Sequence, residues 1–66
     1  MNVTVNGESY EIMRGKTLAD LIKKLNPSGN RVVVLINDDL IHAEKRAGYA
    51  LKEGDRVEIL TFAGGG

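Results

Sequence analysis

Apolar and polar residues alternate at the start of the chain: Val3 and Val5 have polar neighbours, and Tyr10 and Ile12 resume the alternation beyond Asn6-Gly7. Period-two patterning marks strands with one buried face, and Asn-Gly between two such runs suits a two-residue type I′ turn. The first twelve residues therefore predict a β-hairpin. Past Gly15 the period changes. Leu18, Leu21, Ile22 and Leu25 fall at i, i+3, i+4 and i+7, one apolar helical stripe, with Asp20, Lys23 and Lys24 elsewhere around it. Thr17 and Asp20 fit an N-cap with an acidic residue at the third helical position. Asn26-Pro27 ends the helix after about two turns, because the residue before proline is pushed out of the helical region.

A loop over 28–30 leads to Val32-Val33-Val34-Leu35-Ile36, a short β-branched run that suits a central strand apolar on both faces. Asn37-Asp38 can turn tightly, since both residue types tolerate left-handed backbone, into a short strand around Leu40-Ile41. Residues 43–47 predict one helical turn before Gly48. After the turn Glu53-Gly54-Asp55, in which Asp55 can bond local backbone amides, residues 56–62 predict the last strand. Strand parity aims Val57 and Ile59 at the core and Leu60 and Phe62 away from it. The order strand, strand, helix, strand, short strand, strand belongs to the α+β class. It is the β-grasp (ubiquitin-like) arrangement, a mixed sheet of four to five strands with one main helix packed across it. With the first and last strands adjacent at the centre, the helix lies in a right-handed crossover between them. The division expected is a β-grasp domain over 1–62 and a flexible C-terminal glycine tail over 63–66.

Sixty-six residues support a single core, and the 42% hydrophobic share is high enough to build one. Without cysteine, neither a disulfide nor a thiolate zinc site can supplement packing, and no side-chain thiol can carry sulfur. Lys and Arg balance Asp and Glu and nowhere concentrate, so no phosphate-binding footprint for nucleic acid is expected. The longest apolar run is far short of a membrane span, and the N-terminus has neither a basic region nor an apolar signal core. The expectation is a cytoplasmic protein that does not engage membranes and is a monomer when free.

Catalytic side chains are scarce. His42 has no nucleophile and acid to complete a triad and reads as an ordinary surface or half-buried histidine. Asp38, Asp39 and Glu44 lack the ligand spacing of a calcium loop and read as a solvated turn. No bound cofactor or metal is expected, and the chain does not look like an enzyme. The unusual feature is Gly64-Gly65-Gly66 directly after a strand. Terminal glycines alone are also what a frayed end looks like. After a strand that aims the terminus outward, they form a slim arm able to thread a narrow channel and present an unhindered carboxylate. Adenylation by ATP would make that carboxylate an electrophile for sulfur, with the activating protein's magnesium and basic groups stabilising phosphate charge. The product would be a thiocarboxylate on a folded handle.

Over essentially its whole length the chain resembles the ThiS family of thiamine-biosynthesis sulfur carriers, which are sisters of the molybdopterin-type MoaD carriers. The resemblance is carried by Asn6-Gly7, Thr17-Leu18 with Leu21, the valine run ending at Asn37, Leu51, Gly54 through Ile59, and Gly64-Gly65-Gly66. It implies that Gly66 is adenylated by a ThiF-type enzyme using ATP and Mg. Sulfur then arrives from a cysteine-derived persulfide, and a ThiG-type thiazole synthase consumes the thiocarboxylate. Gly64 and Gly65 would thread into the partner, and Leu35, Leu60 and Phe62 would form an apolar patch that partners grip. Many family members have Gly where Asp38 follows Asn37, and a common proline is replaced by Ala43. The second turn's geometry is therefore open at this point. Also open are a molybdopterin-type or other-pathway carrier, a ubiquitin-like modifier joined to lysines, and a noncovalent β-grasp module.

Overall fold

The computed structural model describes residues 1–29 and 31–61. Strands β1 (Asn2–Val5) and β2 (Glu8–Glu11) form the predicted hairpin, with Val5 opposite Glu8. Asn6 and Gly7 between them have φ of 50° and 85°, the positive pair that a type I′ turn requires. Helix α1 (Leu18–Leu25) follows, then β3 (Val32–Ile36), β4 (Asp39–Leu40), a 3-10 turn over Ala43–Lys45, and β5 (Arg56–Thr61). The sheet order is β2-β1-β5-β3-β4, in which β1 and β5 are parallel and the other neighbours antiparallel. This is the mixed five-stranded β-grasp sheet with one helix, and its first and last strands lie side by side as the crossover argument requires.

The capping box of α1 is complete: Thr17 N–H donates to Asp20 Oδ2 at 2.9 Å, and Asp20 N–H donates to Thr17 Oγ1 at 3.2 Å. The exchange satisfies two donors at the helix entry that have no intrahelical partner. Two more go to the segment after the 3-10 turn, with Leu18 N–H on Tyr49 O and Ala19 N–H on Arg46 O. The stretch between β4 and β5 thus closes over the start of α1.

Leu18 and Leu21 of α1 enter the core with Val3, Val5, Val32, Val34, Ile36, Leu51 and Val57, while Ile22, Leu25 and Ile59 pack partly buried against them. The single buried ionisable side chain among the described residues is Asp55, which is 4% exposed. Its carboxylate accepts from Lys52 N–H at 2.9 Å and from Asn37 Nδ2 at 3.1 Å, so the entry to β5 is tied by a satisfied buried acid. The second hairpin turn also resolves. Asn37 and Asp38 have φ of 50° and 74°, so the left-handed pair forms without glycine and brings Ile36 opposite Asp39. No helix among the described residues is long and apolar enough to cross a membrane.

Candidate functional site

The strand that leads toward the terminal glycines is held from both sides. On one side β3 pairs with β5 from Ile36 opposite Val57 to Val32 opposite Thr61. On the other, β1 pairs with it at Thr4 opposite Arg56 and Val5 opposite Val57. Two asparagine side chains, one from each hairpin turn, add backbone-like hydrogen bonds. Asn37 Oδ1 accepts from Arg56 N–H at 3.0 Å at the strand's start. Asn6 holds the strand's later half at Ile59, where its Oδ1 accepts at 2.9 Å and its Nδ2 donates at 3.2 Å. The sequence shows both asparagines as turn formers. Their second role depends on partners far along the chain and leaves no local signal.

Residues paired across a sheet share a face. Val33 lies opposite Leu60, and Leu35 lies opposite both Glu58 and Leu40. Leu35 and Leu60, expected as parts of one apolar patch, are therefore on the same outer face, with Leu60 52% exposed and Leu35 half-buried. Val33 and the exposed Leu40 complete the group, although neither stands out in the sequence. Glu58 and Arg56 continue the same face along β5, and Arg56 Nη2 reaches Asp38 Oδ2 at 3.3 Å in a solvent-exposed pair. Apolar residues surrounded by charge, on a face that no element of the described chain covers, have the composition of a docking surface. Phe62, Gly64, Gly65 and Gly66 lie outside the described residues, as does the proposed boundary between domain and tail. The last described residue, Thr61, neighbours Leu60 of this apolar group.

Elsewhere the described residues offer little chemistry. His42 is exposed and makes no side-chain cap to the 3-10 turn that follows it. Asp38, Asp39 and Glu44 do not assemble, and no group of three potential metal ligands occurs among the described residues. A groove of about 440 Å³ between the end of β2 and α1 is lined by Ile12, Met13 and Leu21 with Lys16, Lys23 and Lys24. It contains no nucleophile with an adjacent base. Asp20, at its edge, has its carboxyl held below the ordinary aspartate value, first by the Thr17 backbone N–H and then by the Thr17 hydroxyl. That shift belongs to helix capping rather than to a reaction.

The crystal structure of a thiamine biosynthesis protein, ThiS, from Geobacter metallireducens superposes with a TM-score of 0.78 at 33% identity, covering all of both chains. A solution structure of a thiamine biosynthesis protein from the same organism gives 0.76 at 32% identity, covering all of this chain and 88% of that one. A thiazole synthase from Paramagnetospirillum magneticum is 30% identical over 66 residues, the whole of this chain and 20% of that protein. A threonine–tRNA ligase from Chlamydia trachomatis is 37% identical over 62 residues, 94% of this chain and 9% of the ligase. The chain thus spans about a fifth of the length of the thiazole synthase it matches. The ThiS family profile matches residues 3–66, nearly the full length and through the last glycine, and the chain belongs to the ThiS family.

Proposed function

We propose that this chain is a sulfur carrier of thiamine biosynthesis whose reactive group is the terminal carboxylate of Gly66. The observation that carries the reading is the family match, which runs through Gly64-Gly65-Gly66 rather than stopping at the folded body. The chemistry follows from what the chain has and lacks. With no cysteine, it can hold acyl-bound sulfur only at a carboxyl group, and the terminal one is the least hindered. A ThiF-type partner, with its own ATP and Mg, would convert the carboxylate to an acyl adenylate with loss of pyrophosphate. The outer sulfur of a cysteine persulfide would then attack the acyl adenylate and displace AMP, giving an acyl disulfide. A second thiol of the sulfur-donating partner would cleave that S–S bond, releasing the thiocarboxylate and leaving the donor as a disulfide. The chain acts as co-substrate, not as catalyst: its body is recognised, and its tail delivers the acyl group into the partner's site.

The outer face supplies the recognition surface in this proposal, with Leu35, Leu60 and Phe62 as the gripping residues beside Gly64 and Gly65, which thread into the partner. Val33 and Leu40 join them through the cross-strand register. A ThiG-type thiazole synthase is the proposed acceptor. The thiazole synthases that contain a segment resembling this whole chain support that pairing, since a carrier and its consumer work on the same intermediate. Co-incubation with the activating partner, ATP and a sulfur donor should raise the protein's mass by the difference between sulfur and oxygen, localised to Gly66. An unchanged mass, with the partner verified as active, sinks the proposal.

A second reading has one observation in its favour. The likeness to a segment of a threonine–tRNA ligase supports a β-grasp body that binds its partner without terminal chemistry. Removing Gly65 and Gly66 separates the two, because a noncovalent module keeps its activity and a carrier loses it entirely.

A further inference from the structure

The two edges of β5 are held unequally near its end. The β3 side is paired through Thr61. The β1 side has its last backbone bond at Asn6 N–H to Val57 O, 2.9 Å. From there the Asn6 side chain replaces the strand: its amide gives Ile59 one acceptor and one donor, as the backbone of a continuing parallel strand would. Alternation along β5 aims the N–H and C=O of Thr61 at the same edge, and nothing among the described residues pairs with them there. Among the described residues Asn6 is therefore the last tie on that side, two residues before Thr61 and, through Ile59, adjacent to Leu60.

Two further facts make the amide more than a turn residue. Glycine would satisfy φ of 50° at position 6 at least as well as asparagine, so the turn alone does not call for the side chain. A hollow of about 290 Å³, lined by Val5, Asn6, Tyr10, Leu25, Ile59 and Thr61, also lies against this end of β5. Packing leaves room there for the strand to shift if the amide is withdrawn.

The geometry points to Asn6 as a positioning residue for the carrier reaction: its amide fixes β5 at Ile59, beside Leu60 of the outer apolar group and two residues before the last described residue. This role rests on the carrier reading above. A partner seated on Leu60 and its neighbours then meets a strand held in one position through Ile59, and loosening that strand dilutes the reacting arrangement without weakening docking.

The test compares Asn6→Gly with Asn37→Gly. Both keep a left-handed turn and both remove an asparagine that bonds β5, but Asn37 acts at the strand's start, away from the tail. Hydrogen exchange at the Ile59 amide should accelerate in Asn6→Gly and not in Asn37→Gly. In steady-state adenylation by the activating partner, Asn6→Gly should lower kcat by about three- to tenfold with KM nearly unchanged, the signature of lost orientation. Asn37→Gly should keep the wild-type kcat. If Asn6→Gly does not fold, Asn6→Asp, which keeps the acceptor for Ile59 N–H but loses the donor, is read in its place. Equal kcat losses in the two glycine variants, or none in the Asn6 variant, overturn the positioning role while the carrier reading stands. A wild-type chain that takes up no sulfur overturns both.

Discussion

The two faces of the sheet are built from the same kinds of residue and have opposite fates. Along β3, Val32, Val34 and Ile36 are 7%, 0% and 1% exposed under α1, whereas the intervening Val33 and Leu35 are only half-buried. The outer group extends to Leu40 and Leu60, each 52% exposed. A domain of this size is stable by about 3–10 kcal/mol, so apolar area left facing water is a notable omission from its core. The difference teaches that the inner residues are fixed by folding and that the outer ones are available for docking. A substitution on one face should therefore report on stability and on the other face on partners.

The largest effect expected is on the inner face. Leu18→Ala, at a side chain with 0% exposure, should cost about 2–5 kcal/mol in urea unfolding and leave a substantial unfolded fraction. A loss below about 1 kcal/mol would mean that the helix does not carry the core, since such small costs belong to surface sites. Next, Leu60→Asp should leave the unfolding free energy within about 0.5 kcal/mol of wild type but weaken binding to the activating partner about tenfold or more. Calorimetric titration measures the second quantity, and unchanged affinity would remove Leu60 from the docking surface.

The third prediction concerns the turn that joins β3 to β4. Asp38 has φ of 74°, where glycine carries no steric penalty, and its pair with Arg56 is exposed at both ends. Asp38→Gly should stabilise the protein by about 0.5 kcal/mol with partner affinity unchanged, because the gain in turn geometry outweighs a weak surface pair. A lower denaturation midpoint would show that the ion pair matters more than the relief of the turn. The smallest effect is in acid. Asp20 has its folded pKa lowered by the Thr17 backbone N–H and hydroxyl, so its contribution is complete above the unfolded value and is lost as pH falls through the folded one. Thermal melts below about pH 4 should show Asp20→Asn losing less stability with falling pH than wild type, since the variant lacks this one carboxylate while the others titrate in both.

Neighbouring residues made much of this molecule legible in advance. Asn6-Gly7 announced the first hairpin, Thr17 with Asp20 announced the helix start, and the β-branched run announced β3, because each depends on interactions within about four residues. The last strand was also legible, including the parity that sends Val57 inward and Leu60 outward. The short strand was placed within a residue of β4, whose bounds depend on pairing with β3 rather than on its own sequence. The outer group was half legible: Leu35 and Leu60 could be named, but Val33 and Leu40 join them only through the register of β3 against β5 and β4.

The sequence by itself determined the order of elements and the β-grasp pattern, because backbone preferences and hydrophobic periodicity act locally. Tertiary structure alone decided that Val33 and Leu40 join the outer group, that Asp55 is buried and satisfied by Asn37, and that Asn6 reaches Ile59 across 53 positions of sequence. Those outcomes depend on strands meeting in one register. A register is set by the whole sheet packing against its helix, and no short stretch of residues encodes it.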